Sequence, residues 1–449
     1  MPTLMVSVSG IRGIIGDGLE PEVLVKFTSA YAEFCGKGTI VIGRDARITG
    51  ELVKNIVSGT LAAKGFNVVD IGIVPTPTVQ YTVKNLKAAG GIAISASHNP
   101  NEWNALKLLN STGQFMTPEE NVQLLKILEN VPKYVDWESI GKISFYEDGL
   151  KKHVEDVLKL KYIDKEKIRK RKFRVVADCV NGAGVYVIPD LLREFGCEVI
   201  EMNCERSGIF PRLPEPIPEN LTGTMEKVKE EKADIGIVVD PDVDRLVLIT
   251  DKGQPFSEEN TITQAVKFIL SKEKGNVAVN LSTTRAVDDV ANAAGCKVFR
   301  SPVGEANVVK KMKEVDAIIG GEGSGGVIYP ALHFGRDALV GIAITLQHLL
   351  EFGGTISELK DSLPKYFIAK RKIELKNANP DAILHSLKNK YGNEKINTED
   401  GLRIDFPDHW VHFRKSNTEP IIRCITEAET QDKAEQYIDK YFGDIKKEL

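Results

Sequence analysis

Ala88-Ala89-Gly90-Gly91-Ile92-Ala93-Ile94-Ser95-Ala96-Ser97-His98-Asn99-Pro100 is the stretch from which the rest of the chain is read. Its small, apolar first half predicts a buried strand over 91–94. Asn99-Pro100 then turns the chain out of it, because the residue before proline is pushed away from helix and Asn-Pro is a turn signal. A hydroxyl on the loop after a buried strand is where α/β proteins place nucleophiles and phosphate sites. Taken alone, Ser97 is first an ordinary turn residue. Further segments reverse that reading.

Outward from this stretch, short Val/Ile runs alternate with amphipathic ones. Strands are predicted at 39–43, 68–71 and 91–94, with a helix over 51–64. The rhythm restarts at 174–178, 198–202, 235–239 and 246–250, and again at 276–280, 297–300 and 317–319. Such alternation argues for mostly parallel sheets with helices on both faces. Three similar α/β units are therefore expected. Gly43-Arg44-Asp45-Ala46 and Gly335-Arg336-Asp337-Ala338 are the one repeat in the sequence itself. The last part differs: 370–375, 402–406, 410–414 and 421–426 alternate apolar with polar residues, and helices fit near 380–390 and 430–441. That predicts an α+β domain whose sheet is covered on one face. The expected domains are 1–152, 153–253, 254–366 and 367–449.

The 449 residues suggest about three domains by length alone. With 42% hydrophobic and 27% charged residues, the composition is that of a globular protein with real cores. A net charge of −4 gives no support to a nucleic-acid or anionic-membrane partner. The basic run at 165–174 reads as a solvated connection. Six cysteines without CxxC spacing fit a reduced chain, not a disulfide frame or zinc site. Neither a signal peptide nor a bilayer-length apolar run is present, so a soluble, cytoplasmic protein is expected.

A second segment, Gly236-Ile237-Val238-Val239-Asp240-Pro241-Asp242-Val243-Asp244-Arg245, places three aspartates at alternate positions after an apolar strand. If extended, the segment sends all three carboxylates to one side. Like charges so close repel unless a cation neutralises them, and hard oxygen ligands suit Mg²⁺. Arg245 beside them suits a phosphate. A third, Gly320-Gly321-Glu322-Gly323-Ser324-Gly325-Gly326, permits close backbone approach to a ligand but lacks any nucleotide-binding order. Glu322 and Ser324 there suit sugar hydroxyls, although taken alone the segment reads equally as a flexible glycine turn. A fourth, Arg414-Lys415-Ser416-Asn417-Thr418-Glu419-Pro420 with Arg423, gathers cations, hydroxyls and loop amides that in isolation read equally as a dianion clamp or an exposed basic turn. Arg12, Arg44 and Arg47 add positive charge near the first unit's loops, beside Asp45.

With these segments in this order and spacing, the whole chain resembles the α-D-phosphohexomutase superfamily, which includes phosphoglucomutases, phosphomannomutases and phosphoglucosamine mutases. The resemblance implies a four-domain, heart-shaped enzyme whose four loops line one central cleft. Ser97 would be a phosphoserine that gives its phosphoryl group to a hexose phosphate. A hexose 1,6-bisphosphate would be intermediate and activator. Asp240, Asp242 and Asp244 would hold Mg²⁺ against the phosphate on Ser97, stabilising charge on the transferring group. Lys107 falls where the family places a catalytic lysine. Glu322 and Ser324 would contact the sugar. Arg414, Ser416, Asn417, Thr418 and Arg423 would grip the phosphate that is not reacting, orienting the substrate. A small-molecule hexose phosphate is the implied partner, and the protein is expected as monomer or homodimer.

Four positions depart from the common pattern. Ala105, Pro241 and Val243 stand where glycines are usual. Gly326 stands where many members have a histidine, which removes one acid/base candidate. His98 beside the nucleophile and His333 remain to relay a proton. The glycine loop, the compact length and the Thr-Glu-Pro turn favour a phosphoglucosamine mutase, with phosphomannomutase or phosphoglucomutase as the alternative. A metal-dependent sugar-phosphate phosphatase and a non-catalytic sugar-phosphate-binding protein are more distant readings. The first conflicts with a cleft built to exclude water, the second with an intact Ser97 and aspartate triplet.

Overall fold

The computed structural model describes residues 3–7, 10–130, 133–375, 378–415 and 421–447. Four sheets are built in chain order. The first has eight strands: β1 (Met5–Ser7), β2 (Gly10–Ile15), β3 (Gly18–Leu19), β4 (Thr39–Arg44), β5 (Asn67–Ile73), β6 (Gly90–Ile94), β7 (Trp103–Leu109) and β8 (Ile143–Phe145). The second holds β9 (Arg174–Asp178), β10 (Glu198–Met202), β11 (Ile235–Val239) and β12 (Leu246–Thr250). The third holds β13 (Asn276–Asn280), β14 (Val298–Ser301), β15 (Ala317–Glu322) and β16 (Gly326–Ile328).

One four-strand plan recurs in all three. The orders β5-β4-β6-β7, β10-β9-β11-β12 and β14-β13-β15-β16 each pair three strands in parallel and close with an antiparallel fourth. The same connection therefore recurs three times, a tight return from the third strand to the fourth. It carries Ser97 in the first sheet, the aspartates in the second and the glycine loop in the third.

The apolar strands pack on both faces, as parallel sheets require. Ile40 and Ile42 of β4 meet Leu24, Phe27, Val53 and Val57, whereas Val41 between them joins Val79 and Val83. In the second and third sheets, Val175 and Ala177 of β9 lie in the same continuous core as Val277 and Val279 of β13. Helix Ala338–Phe352 contributes Leu339, Ile342, Ala343 and Leu346 to that shared core.

The fourth sheet is antiparallel: β17 (Phe367–Glu374), β18 (Lys395–Asn397), β19 (Leu402–Asp405), β20 (His409–Lys415) and β21 (Ile421–Ala428), in the order β17-β21-β20-β19-β18. Helices Pro380–Lys390 and Gln431–Lys446 supply Ile383, Leu387, Ile438 and Tyr441 to its own separate core. It meets the third sheet through polar contacts: Ser282 Oγ with His412 Nδ1 (2.9 Å), Arg285 N donating to Glu427 (3.0 Å), and Val303 N donating to Asp400 (2.9 Å). No helix among the described residues is long and apolar enough to cross a membrane.

The Gly-Arg-Asp-Ala repeat does not mark equivalent places. Gly43 and Arg44 end β4, whereas Asp337 caps helix Ala338–Phe352 by accepting from Leu339 N. Two of the glycine replacements carry little or local cost. Ala105 lies in β7 opposite Arg12, without a left-handed φ. Val243 has φ 63°, a conformation that costs a β-branched residue on the order of 1–3 kcal/mol. Its complete burial in the shared core offsets that strain.

Candidate active site

Ser97 sits just past β6 with φ 49°, a conformation held by a buried scaffold. Its N–H donates to Ser95 Oγ (3.0 Å), and Ser95 Oγ donates to Asp45 Oδ2 (2.6 Å). Arg47, fully buried, pairs with the Asp45 carboxylate and donates to the carbonyls of Ser97 (2.7 Å) and Asn99. Arg12 on β2 donates to Asn99 Oδ1 (3.1 Å). The hydroxyl of Ser97 is thereby aimed out of the first sheet, and its Oγ donates to Asp240 Oδ2 at 2.9 Å.

The aspartates converge through a tight turn and not, as the alternation suggests, through an extended segment. Val243 N bonds back to Asp240 O (3.1 Å), and Asp240 Oδ1 accepts from the amides of Asp244 (3.1 Å) and Arg245 (3.2 Å). One carboxylate oxygen from each of Asp240, Asp242 and Asp244 lies within 4.8 Å of the others, and all three residues are buried. Burial, Asp244 and Asp242 push the Asp240 carboxyl well above its usual range. Burial acts on Asp242 too, but Lys107 and Thr76 hold it well below that range. Asp242 Oδ1 and Asp244 Oδ1 are buried without a hydrogen-bond partner. Leaving such acceptors bare costs free energy, so an all-oxygen pocket of this kind fits a hard divalent cation.

Lys107 on β7 donates to Asp242 Oδ2 (2.5 Å) and approaches Asp244 Oδ2 (3.5 Å), while Thr76 donates to Asp242 Oδ2 (2.5 Å). Thr76 gives no motif in the sequence. Arg336, noted there only as part of a repeat, has a guanidinium that reaches three carboxylates: Asp244 (2.6 Å), Glu322 (2.8 Å) and Glu305 (3.0 Å). Glu305 also accepts from Gln80 (2.7 Å), and burial pushes its carboxyl up to about 7 despite Arg336. Arg336 explains Gly326: a Cβ there would stand 2.3 Å from Arg336 Cδ. The space beside Gly326 is filled by an arginine from ten residues on.

A cleft of about 880 Å³ gathers Ser97, His98, Lys107 and Arg12 with Arg245, Glu322, Ser324, Arg336, Arg414 and Arg423. Lys370, Lys372 and Glu259, which the sequence did not single out, line it too. Glu322 is held by Asn280 (2.8 Å), Gly304 N (2.9 Å) and Arg336. Glu259 accepts from Thr284 N (3.0 Å) and lies against Gly323 of the glycine loop, so close that a Cβ there would meet its carboxylate at 2.1 Å. Burial pushes Glu259 up to about 7. Arg414 pairs with Asp400 (2.9 Å). Ser416, Asn417 and Thr418 lie outside the described residues.

His98 faces the cleft about 4.0 Å from Glu215, and burial together with Arg245, Arg12 and Lys107 brings it down to about 3. His333 does not reach the cleft. Its Nε2 lies 3.0 Å from Asp337 Oδ2, which also meets His153 Nε2 at 2.8 Å, inside a buried cluster.

Known proteins are similar along the whole chain. Residues 4–135, 151–253 and 259–367 match the phosphoglucomutase/phosphomannomutase alpha/beta/alpha domains I, II and III, and 371–442 match the C-terminal domain of that family. A Thermococcus kodakarensis protein described as "Phosphoglucomutase/phosphomannomutase" is 38% identical over 441 residues, spanning 96% of each chain. A Methanopyrus kandleri protein described as "Probable phosphoglucosamine mutase" is 34% identical, over 98% of this chain and 97% of its own. The crystal structure of a Burkholderia thailandensis phosphoglucomutase/phosphomannomutase family protein superposes with a TM-score of 0.86 at 25% identity, over 98% of both chains. With its four domains matched in order and its Ser97 loop meeting the aspartate turn, the chain belongs to the phosphoglucomutase/phosphomannomutase family of phosphohexomutases.

Proposed function

We propose that this phosphohexomutase interconverts hexose 6-phosphates and hexose 1-phosphates through a phosphorylated Ser97, with glucosamine phosphates as its preferred pair. The observation that carries the reading is Ser97 Oγ at 2.9 Å from Asp240, beside two bare carboxylate oxygens, in a cleft rich in cations. In the first half-reaction the bond from phosphorus to Ser97 Oγ breaks and one to a sugar hydroxyl oxygen forms. The hydroxyl proton leaves to a base as Oγ regains one. Lys107, kept protonated by the neighbouring Asp242 and Asp244, would give Oγ its proton. The hexose 1,6-bisphosphate then turns end for end and returns its other phosphoryl group to Ser97.

Asp240, Asp242 and Asp244 would hold Mg²⁺, which supplies Lewis-acid stabilisation of charge on the transferring phosphoryl group. Arg245 and Arg12 add positive charge beside it. Glu322 and Ser324 orient the sugar, and Arg414 and Arg423, with Ser416, Asn417 and Thr418, hold the distal phosphate. Domain boundaries near 152, 253 and 366 put one loop of the site in each unit. Two features favour an amino sugar. Several relatives at about 34% identity carry that name, and Glu259 offers a desolvated carboxylate, in no ion pair among the described residues, beside the sugar loop. The relative at 38% identity favours the glucose and mannose phosphates instead.

Intact-mass measurement after incubation with glucose 1,6-bisphosphate tests the covalent step. The wild type gains one phosphoryl group and Ser97→Ala gains none; a modified Ser97→Ala protein rejects the nucleophile. Comparing kcat/KM for glucosamine, glucose and mannose phosphates on one preparation tests the substrate. A glucose or mannose preference rejects the amino sugar.

A further inference from the structure

Asp244 and Glu322 belong to different loops, one after β11 and the other at the end of β15, yet one guanidinium spans both. Arg336 Nη2 donates to Asp244 Oδ2 (2.6 Å) and Nη1 to Glu322 Oε2 (2.8 Å), while Nε is anchored on Glu305 (3.0 Å). All four side chains are buried or nearly so. The guanidinium is planar and rigid, so it cannot follow one carboxylate without displacing its grip on the other. On Asp244 it occupies Oδ2 and leaves Oδ1 bare. On Glu322 it fixes the carboxylate from behind while that residue lines the cleft. The stem is fixed as well, since it passes over Gly326 where no other residue leaves room. A second contact ties the same two loops: Leu246 N donates to Gly325 O (3.0 Å).

We infer that Arg336 is a positioning residue that couples the two loops, so that a hexose phosphate seated against Glu322 and a divalent cation held by Asp240, Asp242 and Asp244 strengthen each other's binding. The inference rests on the cleft being the sugar-phosphate site, but not on which hexose it prefers. Linkage makes the coupling reciprocal, and couplings of this kind run to about 5–150-fold. A partner that merely stabilised the fold would change stability without changing that ratio.

The test is Mn²⁺ affinity of the full chain by electron paramagnetic resonance, with and without saturating 1,5-anhydroglucitol 6-phosphate. This probe lacks the anomeric hydroxyl and cannot complete the exchange. In the wild type the sugar phosphate tightens Mn²⁺ by a factor within that range. Arg336→Met brings the factor close to one. Gly326→Ala does the same with every charge retained, because the new methyl group displaces the arginine stem; it also serves if Arg336→Met fails to fold. Arg336→Lys, which keeps the charge but cannot fork, restores less than half of the coupling on a logarithmic scale. A ratio unchanged in a folded Gly326→Ala protein assigns the effect to direct contact between phosphate and cation and overturns the role. A wild-type ratio of one overturns it too. Calorimetry separates the two failures: if the wild type does not bind the sugar phosphate at all, the reading of the cleft falls with it.

Discussion

Replacing Arg47 by methionine keeps most of the side chain's volume and removes its charge from beneath the Ser97 loop. Arg47 and Asp45 are both 0% exposed, so the variant strands a carboxylate whose remaining donors are Ser95 Oγ (2.6 Å) and the amide of residue 47 (3.0 Å). The carbonyls of Ser97 and Asn99 lose a donor at the same time. Breaking a buried ion pair from one side costs about 3–5 kcal/mol. At about 2–4 °C per kcal/mol for a unit of this size, the first domain's melting midpoint falls by roughly 6–20 °C. Ser97, no longer pinned at φ 49°, relaxes out of line with Asp240, and a displacement of this kind costs about 100-fold in rate. Differential scanning calorimetry and a coupled mutase assay read the two effects. Asp45→Asn combined with Arg47→Met removes the stranded charge, so it recovers part of the stability and none of the rate. A midpoint lowered by less than about 2 °C, with a near-normal rate, refutes the argument that this pair holds the loop.

Three other outcomes are expected. Chelation of divalent cations stops turnover while leaving the far-ultraviolet spectrum unchanged, and Mg²⁺ restores it; undiminished activity in chelator removes the metal role of the aspartates. Arg423→Met at the cleft wall raises KM by about 10–100-fold, the worth of a charge-assisted hydrogen bond, and leaves kcat within a factor of a few. A loss confined to kcat contradicts phosphate holding. His348 lies buried beside Gln264, and burial lowers its imidazole to about 4. The unfolded chain takes up this proton below about pH 6.5, whereas the folded chain does not until about pH 4, so stability falls as pH falls through that window. His348→Gln removes at most about 3 kcal/mol of that fall in urea titrations at about pH 7 and 4.5; an identical slope in both proteins rejects the assignment.

Strands buried on both faces were the most legible part of the sequence, since continuous Val/Ile runs at 174–178, 235–239, 246–250 and 276–280 coincide with β9, β11, β12 and β13. Strand β7 escaped notice because the site interrupts its pattern: Asn104 and Lys107 are buried polar residues in an otherwise apolar run. The aspartates were legible as ligands but not as a turn, because a left-handed Val243 contradicts its own local preference. Arg336, Glu305 and Thr76 were invisible for another reason. Each is an unremarkable residue made functional by partners 14 to 225 positions away. Short motifs report chemistry that is local in sequence, whereas a carboxylate clamp assembled from several loops leaves no such trace.

The core shared by the second and third sheets bears on how the chain comes apart. Val175 and Ile237 lie in one apolar mass with Val277, Ile319 and the helix residues Leu339 and Leu346, whereas the fourth sheet keeps a core of its own behind a polar seam. Units that share buried surface melt together, and units joined by hydrogen bonds can part separately. The four segments of the family are therefore not four independently cooperative bodies. Heating should release the carboxyl-terminal segment in its own transition, while the aspartate turn and the glycine loop survive or unfold as one.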